Sequence, residues 1–270
     1  MVLIEIARPD QKEKIANNFS KGVANYLSYS QVQKKCAEKL LKMAQKYSYS
    51  IPKGEILEIG CGTGFVTKGL IRQFPNHFLD VIDISEEMLN YCLDNLEISE
   101  TQRELILFRK LDGESRELEN NSYSAIVSSF TVQWFEDIVN SLNRLINTLK
   151  PHGILLIAFP NTRSFPEWKA MCNDLSLPFT GNKLPDTMEI KQKLSTLNLE
   201  THIQEEEITI TYNNSGDFFR SLKAIGAGLN LKQEKLSPSE MKKLINYWNY
   251  TCFPKKIEIT YSVTFLTVIV

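Results

Sequence analysis

The run Glu58-Ile59-Gly60-Cys61-Gly62-Thr63-Gly64 lies between a strand-like stretch and a helix-like one, and it constrains this chain more than any other feature. Glycines at alternate positions remove the Cβ atoms that would hold a ligand away from the backbone. In an open α/β sheet such a turn sits beyond the carboxyl end of the first strand, at the switch point where ligands bind. The spacing is G-x-G-x-G, not the G-x-G-x-x-G of a dinucleotide fingerprint, which disfavours a nicotinamide dehydrogenase.

The flanking pattern extends that reading. Glu55–Ile59 is a short buried strand, followed by a helix over about Phe65–Phe74, and the alternation then repeats. Further strands are expected at Phe78–Ile82, Leu105–Phe108, Tyr123–Ser128 and Gly153–Phe159, with helices at Glu86–Leu96 and Ile138–Leu149. Strands and helices alternating at this interval build right-handed βαβ units and a doubly wound parallel sheet. One polar, amphipathic helix is predicted from Gln11 to Tyr47 ahead of that core. Beyond it come a helix at Thr187–Leu197, a strand at Glu207–Tyr212 and a long strand at Ile257–Val270. The expected organisation is a single domain over residues 1–270. It has an N-terminal helical segment at about 10–47, a core at about 54–160, and two lid insertions at about 161–186 and 213–256 that fold over the open edge of the sheet.

Two acids follow the glycine loop at the tips of successive strands. Asp83, in Val81-Ile82-Asp83-Ile84-Ser85, stands where a carboxylate accepts both hydroxyls of a ribose. Asp112, before Gly113, stands after the third strand on the adenine side, although Asp-Gly is also an ordinary turn pair. Lys and Arg total 31 against 32 Asp and Glu, so bulk charge gives no reason to expect nucleic-acid binding. No apolar run approaches the length of a membrane span, and the short apolar start broken by Glu5 does not read as a secretory signal. Five scattered cysteines without a CxxC pair, and three isolated histidines, point to reduced thiols in a cytoplasm and to no metal site.

With these residues in place, the chain resembles the class I S-adenosylmethionine-dependent methyltransferases, whose cofactor loop is typically (D/E)xGxGxG. The resemblance implies a seven-stranded Rossmann-like sheet with an antiparallel last strand. It also implies S-adenosyl-L-methionine as cofactor and S-adenosyl-L-homocysteine as product. Glu58, Gly60, Cys61, Gly62 and Gly64 would then hold the methionine part, Asp83 the ribose and Asp112-Gly113 the adenine side, with Ile84 and Met88 also on the cofactor. Cys61 reads as a small apolar filler of the loop, since no neighbouring cation would lower its pKa.

A closer resemblance covers nearly the whole chain. Asn18-Phe19-Ser20-Lys21-Gly22-Val23-Ala24-Asn25-Tyr26 and Ser128-Ser129-Phe130-Thr131-Val132-Gln133-Trp134-Phe135 are similar to the malonyl-acyl-carrier-protein O-methyltransferases of biotin synthesis. So are Ser164-Phe165-Pro166-Glu167-Trp168 and Phe219-Arg220-Ser221-Leu222-Lys223-Ala224-Ile225-Gly226-Ala227. The likeness implies methyl esterification of a free malonyl carboxylate on acyl carrier protein, or on coenzyme A. Tyr26 would position the acceptor, Ser129, Gln133 and Trp134 would line the cofactor pocket, and Phe165 would belong to the lid. Arg163, Lys183, Arg220 and Lys223 are the candidate carboxylate clamp and carrier contacts. The lid segment Pro178–Pro185 is short for the family and lacks a family-typical Arg.

Plainer readings stand beside these. Tyr26, Trp134 and Trp168 could be core packing, and Arg220 with Lys223 could be one solvated helical face. None of His77, His152 and His202 belongs at the cofactor end, which favours an acceptor that needs no general base. The alternatives are a methyltransferase for a free small acid or quinone precursor, and a cofactor-binding module that holds a partner without catalysis.

Overall fold

A computed structural model describes residues 9–231 and 235–270, with side chains from residue 11 onward. The reading of the first eight residues, and residues 232–234 of the second insertion, lie outside the described residues. The single helix expected from Gln11 to Tyr47 is two: α1 (Pro9–Tyr29) and α2 (Gln31–Gln45), interrupted at Ser30. The break lets two neighbouring stretches do different work. α2 buries Val32, Cys36, Leu40 and Ala44 against the sheet layer, whereas α1 swings across the sheet's ligand-binding end.

The core follows as β1 (Glu55–Ile59), α3 (Phe65–Gln73), β2 (Leu79–Asp83), α4 (Glu86–Asp94), a short α5 (Glu100–Arg103), β3 (Ile106–Lys110), β4 (Tyr123–Ser129), α6 (Ile138–Thr148) and β5 (Leu149–Pro160). Next come α7 (Pro166–Asp174), α8 (Thr187–Ser195), β6 (Glu200–Tyr212), α9 (Ser215–Ala224), α10 (Pro238–Cys252) and β7 (Ile257–Ile269). The sheet order is β3-β2-β1-β4-β5-β7-β6, parallel from β3 to β5, with β7 inserted antiparallel to both β5 and β6. This is the doubly wound seven-stranded sheet with a reversed last strand. The switch point lies at β1, between β2 and β4, which puts the glycine loop where a ligand can approach both halves.

Side-chain alternation sorts the strands into two apolar layers. Ile154, Leu156 and Ala158 of β5, with Ile257, Ile259, Val263 and Phe265 of β7, face α2 and α3. Leu155, Ile157 and Phe159, with Leu266 and Val268, face α6 and α8. Both insertions join the first layer at its β7–β6 end through Trp168 and Cys172 of α7, Phe218 of α9, and Leu244 and Trp248 of α10. Beneath the sheet, Asp80 accepts hydrogen bonds from Arg109 and from the Tyr123 hydroxyl (2.9 Å), which ties β2, β3 and β4 together.

Candidate active site

The loop after β1 adopts left-handed backbone at Gly60 (φ +76°), Gly62 (φ +52°) and Gly64 (φ +87°), so that α3 can start at Phe65. A Cβ on Gly60 would fall 2.0 Å from the Thr131 hydroxyl oxygen, whereas one on Gly62 would meet no protein atom within 4 Å. The loop is therefore pressed onto the β4 side and open above Gly62. Into that opening faces Asp83, buried at the end of β2. Its two carboxylate oxygens accept from Gly62 N (3.0 Å) and Ser85 N (2.9 Å). Burial raises the Asp83 pKa to about 6, while the Ser85 and Gly62 amides pull it down.

A cleft runs over this loop. Among its walls are Gly60, Gly62, Asp83, Ile84, Met88, Asp112, Gly113, Ser129 and Trp134, nine of the expected cofactor residues. The Ser129 hydroxyl is buried there without a protein partner. A buried carboxylate, an unpartnered hydroxyl and open space above a glycine fit a ribose-bearing cofactor with polar groups at both ends. Glu58, Cys61 and Gly64 lie behind the loop rather than on the cleft. Glu58 is 2% exposed within the first apolar layer, and burial holds its carboxyl well above the ordinary range. The Cys61 thiol, 4.0 Å from Asp83, is likewise pushed up, by its bond to Cys92 and then by burial, so it stays a neutral filler. A Cβ on Gly64 would fall 2.9 Å from Cys92 Sγ.

The near wall of the cleft is α1, which contributes Lys12, Ile15, Phe19 and Tyr26. Of these only Tyr26 is among the residues expected from the sequence, although the spacing of three, four and seven positions is a helical stripe. Lys12 reaches Asp112 (3.2 Å) and Glu114 (2.5 Å), closing the Asp112 end of the cleft. Ser20 bonds the Ser85 hydroxyl (2.9 Å) and the Glu87 carboxylate at the start of α4.

A second cavity, of about 490 Å³, lies on the other side of the same wall. Phe19, Tyr26, Phe130 and Trp134 line both spaces, and the Phe19 and Trp134 rings meet edge-to-face at 5.4 Å. Gln133 opens onto this second cavity, not the cofactor cleft. Its amide donates to Phe130 O (2.8 Å), and its carbonyl oxygen is buried unpartnered. Phe165 roofs the cavity at φ +63°, wedged against Tyr261 with ring centroids 4.9 Å apart, and Phe130 sits at φ +56°. Two bulky residues in left-handed backbone at one cavity wall are costly conformations that the surroundings enforce.

Among the described residues, the charged lining of this cavity is Lys223 and Lys235, with no Asp or Glu. Three of the four cations expected here lie elsewhere. Arg163 pairs with Glu205 (2.9 Å) beside β6, and Arg220 pairs with Asp217 and faces a separate hollow. Lys183 is outside the lining, although its neighbours Asn182 and Leu184 are within it. Lys235 was not anticipated, because nothing in its local sequence separates it from the other lysines of the insertion. His77, His152 and His202 line neither space. Among the described residues no cluster of three His, Cys, Asp or Glu could hold a metal, and no helix is long and apolar enough to cross a membrane.

Known proteins match this architecture. Residues 56–153 match the family described as "Methyltransferase domain". The malonyl-[acyl-carrier protein] O-methyltransferase of Magnetococcus marinus is 31% identical over 79% of this chain and 77% of its own length. The biotin biosynthesis bifunctional protein BioCD of Bordetella avium is 32% identical over 81% of this chain and 44% of its own. The structure of the YcgJ protein of Bacillus subtilis superposes with a TM-score of 0.60 at 16% identity, covering 86% of this chain and 98% of that one, which supports the fold alone. The chain is an S-adenosylmethionine-dependent enzyme, and it belongs to the malonyl-[acyl-carrier protein] O-methyltransferase family.

Proposed function

We propose that this chain methyl-esterifies the free carboxylate of malonyl-acyl carrier protein, the step that lets fatty-acid synthesis extend the masked chain toward the pimeloyl part of biotin. The observation that carries this reading is the shared wall. One aromatic partition separates the glycine-loop cleft from a cavity whose charged walls, among the described residues, are two lysines.

When bound, S-adenosylmethionine would supply a sulfonium methyl to an in-line carboxylate oxygen, the O–CH3 bond forming as the C–S bond breaks and neutral S-adenosylhomocysteine leaves. A malonyl carboxyl, with an ordinary pKa of about 4, is already ionised at neutral pH, so no proton has to be moved. Among the described residues, no His, Asp or Glu lines the acceptor cavity, in agreement with that chemistry. Catalysis then rests on alignment and exclusion of water. Burial and the nearby Asp83 charge hold the Tyr26 phenol well above its usual range, so Tyr26 is a hydrogen-bond donor and not a base. We place Lys223 and Lys235 on the malonyl carboxylate and the entering arm, and Asp83, Ser129 and Asp112 on the cofactor. The cavity exceeds what malonyl alone fills, which favours an acyl thioester over free malonate. Five free cysteines support a reducing compartment, the cytoplasm.

The test is transfer of labelled methyl to malonyl-carrier protein, with malonyl coenzyme A, free malonate and acetyl-carrier protein as comparators. Base-labile label on the malonyl carrier, and none on the acetyl carrier, is expected. Label on free malonate alone would return the acceptor to small acids.

A further inference from the structure

Gly22 lies buried in the middle of α1, where glycine is the poorest helix former after proline. Its place is explained by what it touches. A Cβ on Gly22 would stand 2.9 Å from the Ala224 carbonyl oxygen and 2.9 Å from Gly226 N. The contact is reciprocal: a Cβ on Gly226 (φ +78°) would stand 2.8 Å from Asn18 O and 2.8 Å from the Phe19 Cα. Two backbones thus meet without side chains between them, at the point where α9 ends.

Both sides of this contact lead to a functional group. On the cofactor side, Asp83 accepts from Ser85 N (2.9 Å), the Ser85 hydroxyl bonds Ser20 (2.9 Å), and Ser20 sits two residues before Gly22. Lys12 anchors the same helix to Asp112 and Glu114. On the acceptor side, Gly226 N donates to Lys223 O (3.1 Å), and Gly228 packs so closely that a Cβ there would fall 2.9 Å from Lys223 Cα. Between the two, Phe19 and Tyr26 of α1 face both spaces at once.

We propose that Gly22 and Gly226 are positioning residues for methyl transfer, a side-chain-free joint that registers the acceptor lid, with Lys223, against the helix seated on the cofactor. The proposal rests on the acceptor reading above for its kinetic consequence, not for the joint itself. A methyl group at this contact would meet backbone at 2.9 Å, so the two segments have to shift apart; α1 is also held by Lys12 and Ser20, and the expected shift is in the lid. Small misplacements of reacting groups cost much of the rate when alignment is the source of catalysis.

Gly22→Ala is the discriminating variant, because alanine favours the helix and damage to α1 itself is not built in. Turnover on malonyl-carrier protein should fall by about tenfold or more. Affinity for S-adenosylhomocysteine should stay within about threefold, and the melting midpoint should drop only modestly, because the helix propensity gained offsets part of the overpacking. Amide hydrogen exchange supplies a readout independent of the acceptor. In the wild-type chain, S-adenosylhomocysteine should slow exchange in both 18–26 and 222–228, and in Gly22→Ala in the first segment only. Unchanged turnover overturns the proposal. So does a joint loss of midpoint, cofactor affinity and turnover, which would make Gly22 a residue of the fold alone. A wild-type chain that shows the two-segment protection yet methylates no malonyl carrier refutes the acceptor reading and leaves the joint in place.

Discussion

Asp83 makes cofactor affinity depend on pH in a direction its surroundings dictate. The buried carboxyl has a pKa of about 6 before any ligand arrives, because desolvation outweighs the two backbone amides that stabilise its charge. A ribose offers two hydroxyl donors, and only the ionised carboxylate has acceptor capacity for both beyond those amides. Lowering the pH through 6 therefore weakens binding. If only the ionised form binds, the apparent Kd scales as one plus the ratio of protonated to ionised Asp83. That factor is about 1 at pH 7.5 and about 11 at pH 5, a loss of about 1.4 kcal/mol. The cofactor's own amino group titrates near pH 8, so the cleaner probe is 5′-methylthioadenosine, which carries the ribose and adenine without the amino acid. Calorimetric titrations of wild-type protein from pH 7.5 to 5 should show the tenfold weakening, and Asp83→Asn should bind weakly with a flat profile. Wild-type affinity that stays level across this range would refute the assignment of Asp83 to the ribose, as would an Asn variant that binds like the wild type.

Substitutions at Lys223 and Tyr26, with Arg163 and Arg220 as controls, probe the partition and the cavity behind it. Lys223→Gln should raise KM for malonyl-carrier protein by about tenfold, the value of one charged hydrogen bond, with cofactor affinity unchanged. The same change at Arg163 or Arg220, whose guanidinium groups are held by Glu205 and Asp217, should leave KM within about twofold, as steady-state kinetics would show. Tyr26→Phe should lower kcat by about tenfold or more while leaving S-adenosylhomocysteine affinity within about twofold. Because the phenol keeps its proton through neutral pH, wild-type kcat should be level from pH 7 to 9, and a rise following a Tyr ionisation would assign it a base role.

The parallel core was legible because β1, β2, β4 and β5 are buried on both faces, which makes them short apolar runs between glycine and helix signals. The edge was not. β6 is paired on one side only, and its first half, Thr201 to Glu207, carries a row of polar side chains, so the strand read as starting seven residues late. The loop acids were legible as acids at strand tips beside a glycine turn, and the structure brings Asp83 and Asp112 to one cleft. The acceptor clamp was illegible. Arg163, Lys183, Arg220, Lys223 and Lys235 are equivalent as sequence, and only the positions of Glu205 and Asp217 in space show which guanidinium groups are already engaged. Gly22 and Gly226 were visible only as parts of a resemblance, since contacts across some 200 residues leave no local pattern.

Glu58 and Asp83 sit on either side of one loop, and burial raises the pKa of both, but only Asp83 has backbone amides that hold its charge. Asp83 has two backbone amides aimed at it. Glu58 points into the apolar layer under α3 and α4 with Oε2 unpartnered, and burial, followed by the Cys92 and Asp83 charges and opposed by Thr67, drives its pKa well above the usual carboxyl value. A raised Glu58 pKa has a consequence for stability. The folded chain keeps this proton to higher pH than the unfolded chain does, so stability falls as pH rises from about 4.3 toward the folded pKa. Glutamine, isosteric and never charged, escapes that cost. Glu58→Gln should therefore melt higher than the wild type at pH 8, with the gain shrinking toward pH 5, and should keep cofactor affinity within about threefold. A variant that loses affinity by tenfold or more at pH 8, or gains nothing in midpoint there, would show that the carboxylate is ionised in the folded protein. The first residue of the (D/E)xGxGxG pattern would then serve this chain as a charge rather than as a buried neutral group beneath the loop.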